Sequence, residues 1–408
     1  MAISQSAPAM SGAVHRALRI GVVTAFPPGR NSLNEFGLHL VRHLSRLPEV
    51  GEVVVYSDRT DAGAPEPMPK VSFRPCWRFN DPANVLRVPR EISRSGPDAV
   101  LLNLQFASFG DKRVPGALGL LIPALLRARS VPTLLVLHNL ADNVDMKDAG
   151  FAGSAITARF LTFAGRVLTR CLLRADLVAL TIPRYVEFLR SSYGAENAIL
   201  APHGSFEDVA TPSFTVPPGR RTITAFGKWG TYKTVDMLVA AYQELLRRGY
   251  DDLRLVLAGT DSPNSGGYMS AAAARYADVP HVEFPGYIAE DQVAGMFLAA
   301  SVVAFPYTST TGSSGVLHQA GEYGRAVVLP QIGDLVDVIE EEGFRGVYFA
   351  PGDPISLADA LAEVLDDHVK RTALGRRNFA AATGIPMSEV VQWHLAHIER
   401  LLERRARR

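Results

Sequence analysis

Short apolar runs with almost no polar interruption recur along this chain, and they constrain its fold more than any other feature. LRIGVVTAF (18–26), EVVVYS (52–57), DAVLLNL (98–104), TLLVLHN (133–139) and DLVALT (176–181) form the first series. A strand with one wet face alternates apolar and polar residues, whereas a strand apolar at nearly every position needs cover on both faces. Helical patterns fill the intervals, so each run reads as a parallel strand followed by a covering helix. The first of these helices is predicted to open on a capping box running from Ser32 to Glu35. The series stops at EDVATPSFTVPPGRR (207–221), whose prolines and small polar residues predict a linker. It restarts with TITAFGK (222–228), LRLVLAG (253–259), HVEFPGY (281–287), SVVAFPY (301–307), RAVVLP (325–330) and GVYFA (346–350), with a helix predicted over 235–249.

At 408 residues the chain is longer than a single core usually supports. The pattern predicts an α/β protein of two doubly wound domains facing across a cleft. The first spans 1–206, with a loose tail over 1–16; the linker spans 207–221; the second domain spans 222–387. A long amphipathic helix, 388–408, basic at its end, follows. Ligands of such sheets sit beyond the carboxyl ends of the strands, so polar residues there carry the functional argument.

The net charge of +1 hides an asymmetry: residues 1–205 hold 23 Lys and Arg against 16 Asp and Glu, and the remainder 19 against 25. A basic first half fits an anionic partner, and uneven surface charge explains the same counts. Two cysteines, Cys76 and Cys171, cannot frame a disulfide scaffold and lack metal-ligand spacing, which predicts a reducing compartment. The opening residues lack a signal-peptide apolar run, and no stretch reaches the length of a membrane span. The expected location is cytoplasmic, with a peripheral place on the inner face of the membrane left open.

Two segments carry candidate chemistry in the second half. In FGKWGTYKTVD (226–236), the strand is expected to end at Gly227, with Lys228 and Lys233 flanking a turn. Two cations so placed can converge on a diphosphate; two solvated lysines are the plain alternative. In TTGSSGVLHQAGEYG (310–324), Gly312, Ser313, Ser314 and Gly315 are expected to form the first turn of a helix running through Gly324. Exposed amides and a positive dipole end make that turn a phosphate seat, or only an ordinary cap.

In the first half, His138 and Asn139 end a buried strand at a cleft-facing edge, where a histidine is either functional or a satisfied structural residue. Arg159, Arg166, Arg170 and Arg174 follow spacings of seven, four and four, one face of a helix. That face fits anionic lipid headgroups or a solvated surface over a core helix.

The second half resembles the donor-binding domain of family 4 glycosyltransferases, retaining enzymes of the GT-B fold built from two Rossmann-like domains. The resemblance rests on Gly227-Lys228 with Lys233, similar to a family motif with Arg in the place of Lys228. It rests also on HVEFPGYI (281–288), on Thr311 through Gln319 with GRAVV (324–328), and on GDPISLADALAEVL (352–365). It spans about residues 220–365, and more loosely LRIGVVTAFPP, LVLHN and APHG (201–204).

The resemblance implies transfer of a hexosyl group from a nucleotide-diphosphate sugar, with retention, to a glycan, lipid-linked or small-molecule acceptor. It implies no separate cofactor, no metal and no nucleic-acid partner, and polysaccharide biosynthesis as the setting. His138, Lys228 and Lys233 take the catalytic places. Gly227, Gly259, Tyr287, Ile288, Gly312, Ser313, Ser314, Gly315, Val316, Gln319 and Glu322 line the donor. Arg30, Asn31, Asn139 and the four arginines lie on the acceptor or lipid side. Thr311 and Gln319 stand where the family has two glutamates, for the hexose and the ribose, and Gly29-Arg30-Asn31-Ser32 replaces a glycine pair. Either Gln319 itself, which can still hydrogen-bond a diol, or Glu322 one turn beyond it, is expected to hold the ribose. These departures keep open a nucleotide-sugar-binding scaffold without turnover, and a GT-B epimerase is the other alternative. A nicotinamide enzyme is disfavoured, since no G-x-G-x-x-G follows either first strand.

Overall fold

A computed structural model describes residues 16–29, 31, 33–140, 155–206, 210–262, 265–308, 314–332 and 335–407, leaving aside the side chains of 155–162 and 290. The tail over 1–15, Arg30, Ser32, Thr311, Gly312, Ser313 and the Arg159 side chain, all part of the expectations above, lie outside the described residues.

The apolar runs form two parallel sheets. In the first, β1 (Leu18–Val23), β2 (Val50–Tyr56), β3 (Val71–Phe73), β4 (Ala99–Leu104), β5 (Thr133–Leu137), β6 (Leu177–Leu180) and β7 (Ala198–Leu200) lie in the order β3-β2-β1-β4-β5-β6-β7. In the second, β8 (Arg221–Trp229), β9 (Leu253–Asp261), β10 (Val282–Gly286), β11 (Val302–Ala304), β12 (Val327–Pro330) and β13 (Val347–Phe349) lie in the order β10-β9-β8-β11-β12-β13. Both are doubly wound, reversing between their first and fourth strands; such a reversal opens a crevice at the carboxyl ends. The short β3 and β7, at the edges of the first sheet, have too few apolar residues to stand out in the sequence. Each sheet carries a core on both faces, as the unbroken runs require.

The first helix is Asn34–Arg46, preceded by Leu33 in a left-handed conformation with no side-chain cap, and Ser32, on which the expected capping box rests, lies outside the described residues. Two local expectations are corrected. Strand β8 continues two residues past Gly227, which places Lys228 within the sheet, opposite Thr260. The helix expected from Gly312 begins at Gly315 and ends at Glu322, with Ser314 as its extended N-cap.

The described part of the linker is not free. Phe214 packs edge-on against Phe379 at 5.9 Å, and Arg325 donates to the Ser213 carbonyl. The last helix, Met387–Ala406, returns to the first sheet: Met387, Val390, Val391, Leu395 and Ile398 join the core of Ile20, Phe36 and Leu40. Its basic end is used there too, since Arg405 donates to both oxygens of the buried Asp176 at 2.9 and 3.0 Å. The chain therefore crosses between halves twice, and the crossings bind each other: Ser205 N–H donates to the Ile385 carbonyl and Met387 N–H to the Ser205 carbonyl, both at 2.9 Å.

Candidate functional site

The second sheet reverses between β8 and β11, and the paired lysines stand there. Gly227 of β8 faces Gly259 of β9, with φ of 153° and 116°. A Cβ on Gly259 would lie 1.9 Å from the Gly227 carbonyl oxygen, so the two backbones meet more closely than any other residue permits. The chain then turns, Gly230 N–H donating to the Lys233 carbonyl at 2.9 Å, and Lys233 pairs with Tyr307 just beyond β11. The Lys233 ammonium lies 4.3 Å from the Tyr307 ring centroid and 5.6 Å from that of Tyr232, and a Cβ on Gly227 would stand 3.5 Å from Nζ. Burial pulls the pKa of Lys233 down, but Tyr307 and Tyr232 outweigh it and the net shift is upward. Burial lowers that of Lys228, Glu35 from the first half works against this, and the Lys233 charge adds to the lowering. Two cations are thus gathered at one strand end, one beside aromatic faces and one within reach of the Glu35 carboxylate.

Beyond β11 begins the helix Gly315–Glu322. Ser314 gives it no side-chain cap, and its carbonyl accepts from Leu317 at 2.8 Å and His318 at 3.2 Å. The amides of Gly315 and Val316 therefore open the helix at its positive end. The helix is held close to the helix His368–Thr383: a Cβ on Gly321 would lie 2.7 Å from the Asn378 carbonyl oxygen. Gln319 is buried. Glu322 is buried as well, and Oε1 accepts the Phe206 N–H at 2.9 Å across the junction of the halves. That bond ties Glu322 to the chain crossing at the far end of the helix. Tyr287 is 58% exposed at the end of β10, and Ile288 and Val316 pack against the core containing Phe305 and Leu317.

In the first sheet the reversal lies between β1 and β4, and a relay crosses it. Thr24 donates to the Ala25 carbonyl at 2.9 Å and accepts from Asn103 Nδ2 at 2.9 Å. Asn103 Oδ1 therefore faces His138 Nε2 at 2.7 Å, and that nitrogen carries the proton, leaving Nδ1 as the acceptor. Burial, with a smaller contribution from His394, lowers the His138 pKa to about 3, so the ring is neutral at physiological pH. Its edge meets Phe36 at 4.5 Å and His203 at 6.0 Å, and His203 stacks on His318 of the Gly315–Glu322 helix at 4.4 Å. His138 is thereby brought toward the helix that follows β11, and the carboxyl ends of the two sheets face each other.

Other expected residues are turned inward. Asn139 Oδ1 accepts the Phe106 N–H at 2.8 Å, and Asn31 donates to the buried Asp58 at 2.6 Å, so both fix loops around the cleft. The arginines lie on the helix Ala155–Leu172 and just past it, in the first half of the chain. Asn103 and Tyr307 were missed. The signal for Asn103 was a polar residue inside an apolar strand; Tyr307 had none, because its partner is 74 residues away.

Comparison with known proteins agrees with this geometry. Residues 220–367 match a family model described as glycosyl transferases group 1, so the second half carries such a domain. A D-inositol 3-phosphate glycosyltransferase of Corynebacterium diphtheriae is 27% identical over 224 residues, 49% of this chain and 50% of the relative. The match spans about half the length of that curated relative. Sucrose-phosphate synthase from Thermosynechococcus elongatus superposes with a TM-score of 0.71 at 18% identity, over 94% of this chain and 99% of that one. The Anabaena protein HepE, solved with UDP and glucose, gives 0.66 at 15% identity, over 94% of this chain and 100% of that one. The fold is GT-B: two Rossmann-like parallel sheets.

Proposed function

We propose that the chain transfers a hexosyl group from a nucleotide-diphosphate sugar to an acceptor, with retention of configuration. The observation that carries this reading is the convergence of Lys228 and Lys233 on the carboxyl end of β8, beside the strand that leads to the Gly315 helix. In transfer from such a donor, negative charge grows on the leaving diphosphate as the bond from the anomeric carbon to the phosphate oxygen breaks. Fixed cations and backbone amides at that point stabilise the transition state more than the ground state. Lys228 and Lys233 take the bridging side of the diphosphate, and the amides of Gly315 and Val316 its far phosphate. Neutral His138, with its proton held by Asn103, offers Nδ1 to a sugar hydroxyl and adds no charge that would compete with the lysines. Gln319 orients the ribose. The name of the D-inositol 3-phosphate glycosyltransferase supports a phosphorylated polyol as one candidate acceptor, and the HepE complex supports a uridine nucleotide as donor.

The test is calorimetric and chemical. Lys233→Ala should weaken nucleoside diphosphate binding by about 1.5–3 kcal/mol, roughly 10- to 150-fold, the range of a charge-assisted hydrogen bond. Nucleoside alone should bind as before; equal losses for both ligands refute the assignment. Proton NMR of the product fixes the anomer, and an inverted product refutes retention. Nucleotide binding with neither transfer nor donor hydrolysis, across a panel of donors and acceptors, would instead support the scaffold reading.

A further inference from the structure

The arginine helix presents a face that the donor site does not use. On the helix Ala155–Leu172, Phe163, Arg166, Val167 and Arg170 are all exposed, Phe163 to 64% and Val167 to 41%; Arg174, just beyond its end, is exposed too. At 100° per residue these five positions fall within an arc of about 100°, while buried Gly165, Thr169 and Leu172 fall on the opposite side. Helical spacing alone places Phe163 and Val167 among the arginines; the structure adds that both are exposed there. Among the described residues, Arg166, Arg170 and Arg174 form no ion pair, and Arg170 rests 5.7 Å from the Tyr193 ring.

Three exposed cations, without an ion pair among the described residues, interspersed with an exposed phenylalanine and valine match one kind of surface. A soluble polyanion would engage the arginines and leave Phe163 and Val167 in water. A solvated face has no use for a phenylalanine left 64% exposed. An anionic bilayer satisfies both sets, with guanidinium groups at the lipid phosphates and apolar side chains at the acyl boundary. Among the described residues no helix is long and apolar enough to cross a membrane, so the contact is lateral. The helix also belongs to the more basic half of the chain, which adds to the attraction.

We infer that this face, Phe163, Arg166, Val167, Arg170 and Arg174, docks the protein on a membrane bearing anionic lipid. An acceptor carried on that lipid surface would follow, a consequence that rests on the transfer reading above; the docking itself does not.

The experiment is co-sedimentation of the full chain with phosphatidylcholine vesicles, with and without phosphatidylglycerol, across a salt series. Binding should need the anionic lipid and fall as salt rises. Replacing Arg166, Arg170 and Arg174 with Gln should lower partitioning by on the order of 100-fold, since each cation near an anionic leaflet is worth about 1 kcal/mol, or about fivefold. F163S with V167S should lower it at least about tenfold, through lost apolar burial. Both variants should keep the far-ultraviolet circular dichroism and the nucleoside diphosphate affinity of the parent. Absence of vesicle binding, or binding unchanged in the arginine variant, overturns the proposal. So does a parent that binds heparin as tightly as vesicles and loses neither with F163S and V167S, which would make the face a site for a soluble polyanion. A parent that binds vesicles but no nucleotide refutes the donor reading and leaves the docking face standing.

Discussion

Gly259→Ala is the sharpest probe of how the lysine end of the second sheet is built. The methyl group would be placed 1.9 Å from the Gly227 carbonyl oxygen, and the residue has φ of 116°. Two costs follow. An L-residue forced into left-handed backbone loses about 1–2 kcal/mol. Overpacking that moves a neighbouring backbone costs about 1–3 kcal/mol more. The expected loss is therefore about 2–5 kcal/mol. Gly249→Ala separates the terms, because Gly249 has φ of 92° but nothing within 4 Å of an added Cβ. It should show the backbone cost without the collision. Urea unfolding followed by tryptophan emission in a background with Trp77 and Trp393 replaced by Phe, so that only the buried Trp229 beside the altered strand pair reports, gives both values. Gly259→Ala should also weaken nucleoside diphosphate binding, since shifting Gly227 displaces Lys228, whereas Gly249→Ala should not. Equal stability losses in the two variants would show that no close approach exists between β8 and β9.

Tyr307→Phe keeps the ring under the Lys233 ammonium and should bind diphosphate nearly as the parent, while Tyr307→Leu should lose about 1–2 kcal/mol of it, the range of a partly desolvated cation–π contact; equal losses by calorimetry would refute the role of the ring. His39 and His394 are 3% and 0% exposed, and burial first of all lowers both to about 4 from an unfolded-state value of 6.5. The unfolded chain therefore binds more protons below pH 6.5, and the stability present above that value is lost as pH falls toward 4, by about 1.4 kcal/mol per pH unit for each histidine. Urea midpoints at pH 7, 6 and 5 should fall in that order, and a flat series contradicts the burial of the neutral rings.

What the sequence determined by itself is the pair of sheets. An unbroken run such as AVLLNL leaves no wet face, so the strands had to be parallel and covered on both sides, and the restart after residue 221 required a second such sheet. The lysine turn was legible for a related reason: its two cations are five residues apart, and spacing along one chain is a local property. The partners of those groups were not local. Tyr307 reaches Lys233, Asn103 orients His138, and Glu322 holds the Phe206 amide only because the strand order reverses and the chain crosses between halves. The end of β8 was misjudged for the same reason, since a ladder with β9 carries the strand past Gly227, a residue that alone reads as a strand end, through to Trp229. The exposure of Phe163 and Val167 among the arginines was likewise decided by the fold. An apolar residue at helical spacing reads as core until tertiary packing shows which face of the helix the core has taken.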